Sequence, residues 1–158
     1  MKTAIFYMSK HGCVEKAVFL LKEYLKNDEV EIINLKKDKI KDPESYDKII
    51  LGGSIHAGMI QRKIKTFYFR HLNVLLKKKL GLFLCCMEEG EKAKKQFDKV
   101  FPAKLRTHAK TTGLFGGEFI FGKMKPIEKF IIKKIAKTDK DISKFKKEEV
   151  KLFAKKFA

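Results

Sequence analysis

The stretch Met8-Ser9-Lys10-His11-Gly12-Cys13-Val14 decides the predicted fold. It follows an apolar run at residues 4–7 and precedes a run with helical spacing that begins at Val14. A strand that turns sharply into a helix aims several backbone N–H groups, and the positive end of the helix dipole, at one point. We therefore predict a phosphate-binding loop, in which Ser9 adds a hydroxyl, Lys10 a charge and Gly12 a close backbone approach. An ordinary strand-to-helix turn is the alternative, because a single glycine matches neither the P-loop nor the dinucleotide fingerprint.

Apolar runs and amphipathic runs alternate along the rest of the chain. Five apolar runs predict strands, at residues 4–7, 30–35, 49–51, 80–86 and 111–119. Five runs with helical periodicity predict helices, at residues 14–25, 60–76, 91–100, 126–137 and 144–158. This alternation predicts one α/β domain over residues 1–158, a doubly wound sandwich with five parallel strands and helices on both faces.

Three loops of the predicted sheet should meet at one edge. Ligands of doubly wound sheets bind beyond the carboxyl ends of the strands, near the point where the strand order reverses. The loop at residues 9–14 would lie there with the loops at residues 53–59 and 87–90. This convergence favours a bound ligand over an ordinary turn.

The chain is strongly basic. Its formal net charge is +18, from 37 Lys and Arg against 19 Asp and Glu, and only Arg62, Arg70 and Arg106 are arginine. Because arginine is the preferred reader of phosphates and bases, nucleic acid is the least favoured partner. Three explanations of the basic charge remain: lysine-rich faces that are simply solvated, an acidic partner, and an anionic membrane surface. The run at residues 126–137 is either a core helix or a basic amphipathic helix that lies on a membrane or a partner.

The cysteines and histidines do not form a metal-binding pattern. The chain has three cysteines, Cys13, Cys85 and Cys86, and no CxxC motif. Its four histidines are scattered along the sequence. No apolar run approaches the ~20 residues of a membrane span, and we expect a cytoplasmic protein. In that compartment we expect the thiols to be reduced. Cys13 at a helix N-terminus is either a stabilised thiolate or a small residue that fills the loop.

Three segments of the chain resemble a known family. They are the opening strand and loop at residues 1–12, the stretch Gly52-Gly53-Ser54-Ile55-His56-Ala57-Gly58, and residues 117–137. The third segment contains the matching stretch Glu128-Lys129-Phe130-Ile131-Ile132-Lys133. The arrangement resembles flavodoxin-like FMN proteins. Among them it is most similar to the bacterial quinone-dependent protoporphyrinogen oxidases, whose loops read Gly-Ala-Ser-Ile-basic-Tyr-Gly and acidic-basic-Phe-apolar-Ile-Lys at the second and third segments.

The resemblance implies FMN as a non-covalent cofactor. Its phosphate would contact Ser9, Lys10, His11, Gly12, Cys13 and Val14. Its isoalloxazine ring would lie between two loops formed by Ser54, Ile55, His56, Ala57 and Gly58 and by Met87, Glu88, Glu89 and Gly90. The chain departs from the family pattern at three positions: His11 and Val14 replace hydroxyl residues, and Ala57 replaces the aromatic residue of the second loop.

The resemblance further implies a redox enzyme that oxidises a porphyrinogen-type substrate and passes electrons to a quinone at the inner face of the membrane. An electron shuttle to a redox partner protein, or a general flavin reductase, is the alternative. Ala57 and a short loop after the fourth strand favour that alternative. A basic binding module without cofactor is a further one. No side chain is assigned as catalytic, because the flavin would carry the chemistry.

Overall fold

Five parallel strands form the centre of the molecule in this computed structural model, which describes residues 1–9, 12–119, 122, 125–136 and 141–158. The strands are β1 (Lys2–Tyr7), β2 (Glu29–Asn34), β3 (Lys48–His56), β4 (Met59–Ile60), β5 (Lys79–Cys85), β6 (Thr111–Leu114), β7 (Glu118–Phe119) and β8 (Ile142–Ser143). The helices are α1 (Cys13–Tyr24), α2 (Arg62–Arg70), α3 (Leu72–Leu75), α4 (Gly90–Val100), α5 (Ala103–His108), α6 (Pro126–Ala136) and α7 (Lys147–Phe157). A short 3₁₀ turn, Pro43–Ser45, precedes β3.

The parallel strands lie in the order β2-β1-β3-β5-β6. β1 pairs with β3 so that Tyr7 lies beside Gly52, and β3 pairs with β5 so that Ser54 lies beside Cys85. The order reverses between β1 and β3, which is the switch point at which a doubly wound sheet binds its ligand; flavodoxin is itself the type example of this strand order. The prediction of a five-stranded parallel sheet is confirmed.

Two apolar clusters cover the two faces of this sheet. Successive residues of a strand point to opposite faces, so Ala4 and Phe6 belong to one cluster, and Ile5 and Tyr7 to the other. Helices α2, α3, α4 and α5 pack in the first cluster, and α1 and α7 in the second. Because both faces are covered, β3 and β5 consist of buried residues over most of their length, as the continuous apolar runs predict.

The third strand continues beyond the predicted stop at Gly52 and Gly53. Both glycines pair with β5, and β3 runs on to His56 before it folds back into β4. A Cβ atom at Gly52 would clash with the ring of Phe83, so glycine here permits close packing rather than a turn. The predicted loop at residues 53–59 is therefore the end of a β-hairpin.

The predicted fifth strand at residues 111–119 is divided. β6 ends at Leu114, and β7 pairs antiparallel with β8 in a separate two-stranded sheet. Gly116 turns the chain between them with a left-handed φ of 73°. Lys144 and Lys146 donate their N–H groups to Gly117 and Phe115. Because these N–H groups continue the β7–β8 pairing, α7 begins at Lys147 rather than at the predicted residue 144.

Two further helical boundaries differ from the sequence prediction. The predicted helix at residues 60–76 is divided into α2 and α3 at His71, whose ψ of 17° leaves the helical range. The sequence pattern also missed α5, a short helix that buries Leu105. The predicted helix at residues 126–137 is confirmed over α6; residue 137 lies outside the described residues.

An ion pair stabilises the end of the sheet opposite the three loops. Lys48 on β3 and Asp28 before β2 lie 2.9 Å apart, and both side chains are more than nine-tenths buried. The hydroxyl of Thr3 also donates to Asp28, at 2.7 Å. Burial alone would raise the pKa of Asp28, but the hydrogen bonds from Lys48 and Thr3 outweigh it and lower this pKa below its ordinary value.

We predict that Asp28→Asn lowers the free energy of unfolding by about 2–3 kcal/mol near neutral pH, because it leaves the Lys48 charge buried without its partner. The stabilisation is present above the pKa of an unfolded aspartate, ~3.9, and is lost as pH falls through the lower folded-state pKa. Urea unfolding over a pH series measures both effects. Equal stability of the two proteins at neutral pH, or an equally steep loss below about pH 4, would contradict the assignment.

Candidate functional site

The first loop leads from β1 into α1 at the switch point of the sheet. Gly12 is the N-cap of α1 with φ 92° and ψ −12°, a left-handed conformation that glycine adopts without strain. The Oγ atom of Ser9 accepts the N–H of Gly12 at 3.1 Å, which holds the turn. The first N–H groups of a helix have no acceptor within the helix, so the start of α1 presents donors and the positive end of its dipole to an anion.

The side chains at the start of α1 point into the core. Cys13 is 7% exposed and Val14 is 1% exposed. These two residues can therefore contact an anion only through their backbone N–H groups. The predicted Lys10 and His11 lie outside the described residues, and their contribution stays a prediction.

The second loop is the tip of the β3–β4 hairpin. Ile55 pairs with Ile60 and His56 with Met59, so Ala57 and Gly58 form a two-residue turn. Both have positive φ, 50° and 74°, as a type I′ turn requires. Ser54, Ile55 and His56 are half-buried, and the turn residues are exposed.

A side chain that the sequence analysis missed braces this hairpin. Gln61 accepts the N–H of Ser54 at 3.1 Å and donates its amide to Ser54 Oγ at 2.7 Å. The same Oγ shares a 3.0 Å hydrogen bond with Nε2 of His56. Gln61 lies between a loop and a helix in the sequence, and only the hairpin fold brings it back to Ser54. These contacts fix the orientation of the predicted ring-binding residues.

The third loop follows β5. Met87 is half-buried, whereas Glu88, Glu89 and Gly90 are exposed. Glu89 lies 3.7 Å from the ammonium group of Lys144 and 4.0 Å from that of Lys146, so its carboxylate faces the β7–β8 side of the molecule. Within this loop, Met87 provides apolar cover and the two glutamates provide negative charge.

The pairing of β1 with β3 and of β3 with β5 brings the three loops to the same edge of the sheet. Each loop follows the carboxyl end of its strand, and the three strands are neighbours. The described residues of the predicted site, Ser9, Gly12, Cys13, Val14, Ser54, Ile55, His56, Ala57, Gly58, Met87, Glu88, Glu89 and Gly90, therefore lie on three adjacent loops. Their roles as cofactor ligands stay predictions.

The three thiols are buried at this edge. A hydrogen bond with Cys13 and burial raise the pKa of Cys85 well above its ordinary value. Burial also raises the pKa of Cys86 to about 11. Cys85 and Cys86 are therefore protonated near neutral pH and pack as small apolar residues. Among the described residues, no group of His, Cys, Asp or Glu side chains could hold a metal ion.

The fold and the donor-rich start of α1 define a flavodoxin-like α/β protein. The model of the flavodoxin domain family matches residues 4–145, and the chain belongs to this family. No curated protein matches the chain significantly in sequence. None of the helices in the described part of the chain has the length and apolar character that spanning a bilayer requires.

Solved flavodoxin structures share this fold over nearly the whole chain. Flavodoxin 1 of Bacillus cereus, in its oxidised form, is 19% identical over 99% of this chain and 97% of its own, with a TM-score of 0.61. The flavodoxin of Streptococcus pneumonia TIGR4 is 18% identical over 99% and 97%, with a TM-score of 0.58. Two-electron reduced Megasphaera elsdenii flavodoxin is 20% identical over 97% and 98%, also with a TM-score of 0.58. Identities this low show the shared fold.

The residues present fit FMN. A dianionic phosphate requires hydrogen-bond donors, and the N–H groups of the first turn of α1 supply them. The N–H of Gly12 is donated to Ser9 Oγ, so the further donor of this turn is the Ser9 hydroxyl itself. A flavin ring requires flat apolar cover and backbone hydrogen bonds, for which Ile55, the exposed Met59 and Met87 stand on the two neighbouring loops. Membership of the flavodoxin domain family supports the same cofactor.

Ala57 has the positive φ that alanine adopts at a cost of about 1–2 kcal/mol. We predict that Ala57→Asn raises the free energy of unfolding by roughly 0.5–1 kcal/mol, since asparagine tolerates this conformation. Ala57→Val should instead lower it by about 1 kcal/mol or more, because a β-branched side chain is strained there. Chemical denaturation of the three proteins measures this order of stability, and the reverse order would exclude a type I′ turn.

Proposed function

We propose that the protein binds FMN non-covalently at the carboxyl edge of its sheet and acts as a redox flavoprotein. The observation that carries this proposal is the start of α1, which faces the β1/β3 switch point behind a left-handed Gly12. When bound, FMN supplies reversible one- and two-electron transfer. The chain itself supplies binding, orientation and the electrostatic environment.

Backbone donors hold the phosphate in this proposal. Cys13 and Val14 turn their side chains into the core, so their N–H groups are what they offer to the anion. Ser9 holds Gly12 through its Oγ atom and so keeps the first turn of α1 open to the ligand. Lys10 and His11 add positive charge and a further donor.

Two loops hold the ring in this proposal. Gln61 fixes the hairpin through its two hydrogen bonds to Ser54. Ala57 is exposed and carries only a methyl group, so it would cover less of a bound ring than the aromatic residue that the resembled family has there. Met87 provides apolar cover from the other loop. Glu88 and Glu89 place two carboxylates on this edge, and the carboxylate of Glu89 lies against Lys144 and Lys146.

We predict that the purified protein retains FMN or binds it when FMN is added, and that Ser9→Ala raises the FMN Kd roughly tenfold, because the Gly12 turn loses its acceptor. Flavin absorbance and fluorescence quenching measure the binding. Ser45→Ala is the matched control, because Ser45 donates to Asp42 in a turn before β3. A wild-type protein that neither retains nor binds FMN would overturn the proposed cofactor.

Two redox functions are compatible with such a site. The chain resembles the protoporphyrinogen oxidases at residues 52–58 and 128–133. This resemblance favours oxidation of a porphyrinogen-type substrate with electron transfer to a quinone. The exposed hairpin tip and Ala57 favour the second function, an electron shuttle to a redox partner protein.

An anaerobic assay separates these two functions. The FMN-loaded protein is mixed with protoporphyrinogen IX and a water-soluble menaquinone analogue, and porphyrin fluorescence is followed. Formation of porphyrin that depends on both the protein and the quinone supports the oxidase. Reduction of the bound flavin by a flavodoxin reductase, without porphyrin formation, supports the shuttle.

Helix α6 carries the proposed membrane contact. Ile127 and Phe130, three residues apart, are 69% and 67% exposed, and Lys133 and Lys134 are exposed in the next turn. An exposed apolar pair beside lysines suits the interface of an anionic bilayer. A quinone that dissolves in the bilayer would then be within reach of a peripheral protein.

We predict that the wild-type protein sediments with vesicles rich in anionic lipid and that Ile127→Ser/Phe130→Ser reduces the bound fraction at least threefold, because about two buried apolar side chains are lost from the interface. Phe69→Ser is the matched control, because Phe69 on α2 is also exposed, at 64%. Equal sedimentation of all three proteins would contradict a membrane role for α6.

A further inference from the structure

A two-stranded ribbon lies against the first loop of the proposed FMN site. We define the ribbon as residues 115–119 and 142–146, which contain β7 and β8. The carbonyl of Gly116 accepts a long hydrogen bond from the thiol of Cys13, at 3.9 Å. On the next turn of α1, Lys16 lies 2.5 Å from the carboxylate of Glu118. The ribbon is therefore joined to the helix whose N-terminus would hold the phosphate.

The same ribbon is joined to the loop after β5. The carbonyl of Gly116 also accepts the N–H of Cys86 at 3.0 Å. A Cβ atom at Gly117 would meet the sulfur of Met87 at 2.9 Å, so the two residues are in close contact. Lys144 and Lys146 extend from the ribbon to Glu89. The ribbon thus contacts two of the three loops. We call the loop at residues 9–14 the phosphate loop and the loop at residues 87–90 the ring loop.

Glu118 makes the shortest of these contacts. Its side chain is only 5% exposed, and Lys16 is half-exposed. The hydroxyl of Ser143 donates to the same carboxylate oxygen at 2.9 Å. Lys16 also lies over the ring of Phe145, 5.0 Å from its centroid. The carboxylate, which is itself almost fully buried, is therefore held by partners from α1 and from β8.

We propose that Glu118 is a positioning residue that, through Lys16 and the ribbon, fixes the distance between the phosphate loop and the ring loop. The inference rests on the proposed FMN site and deepens it. A ligand that binds at two points gains affinity when the two points are held at the spacing that the ligand requires. A ligand that uses only one of the two points gains nothing from that spacing.

This difference between ligands gives the test. Glu118→Gln keeps the shape of the side chain and an acceptor for Ser143 but removes the charge that holds Lys16. We expect the FMN Kd to rise about tenfold, while the Kd of riboflavin, which lacks the phosphate, changes less than about twofold. Both are measured by quenching of flavin fluorescence, well below the melting temperature of each protein.

Two further variants make the test specific. Lys16→Gln should reproduce the effect from the other side of the pair, and it replaces Glu118→Gln if that variant does not fold. Glu31→Gln is the matched control, because Glu31, which lies on β2, forms a 2.5 Å ion pair with Lys41 outside the three loops. It should leave both Kd values unchanged within about twofold.

The outcomes separate this inference from the proposed function. An unchanged FMN Kd in Glu118→Gln and Lys16→Gln overturns the positioning role. An equal rise of the FMN and riboflavin Kd values also overturns it, because that result indicates general damage to the site. If the wild-type protein binds no FMN, the proposed function itself fails.

Discussion

The parallel pairing of β1 with β3 and of β3 with β5 is the constraint on which the rest of the molecule depends. This register sets Tyr7 beside Gly52 and Ser54 beside Cys85, so the three strands end at one edge and their loops meet there. Glycine at position 52 suits this pairing, because the ring of Phe83 crosses β3 there. A side chain at Gly52 would collide with that ring, so the packing between β3 and β5 would have to change.

A local hydrogen bond fixes the position of the first loop, as the strand register fixes the positions of the other two. Gly12 begins α1 in a left-handed conformation, and Ser9 accepts its N–H. Cys13 and Val14 can then bury their side chains while their N–H groups remain at the helix start. Val14 stands where the resembled family has a hydroxyl residue. Its buried side chain packs α1 against the core, so an anion at this position would be bound by backbone N–H groups.

The sequence predicted what depends on local periodicity. The five parallel strands, the helices around them and the convergence of three loops follow from alternating apolar runs, and the structure confirms them. The extent of β3 was wrong because glycines in a sequence indicate a turn, whereas Gly52 serves a packing contact with Phe83. Gln61 and Glu118 were missed because their partners, Ser54 and Lys16, come close only in the fold.

The Glu118–Lys16 pair also affects the electrostatic potential at the candidate phosphate site. The chain carries +18 overall, yet the candidate site also contains carboxylates, since Glu15 lies in the first turn of α1 and Glu88 and Glu89 stand on the ring loop. An unpaired buried carboxylate beside α1 would repel a phosphate dianion and weaken the helix dipole's attraction for it. Lys16 neutralises Glu118, and Lys144 and Lys146 lie against Glu89. These three lysines near the site are thus paired with carboxylates. The backbone N–H groups at the start of α1 are then the groups that bind the anion.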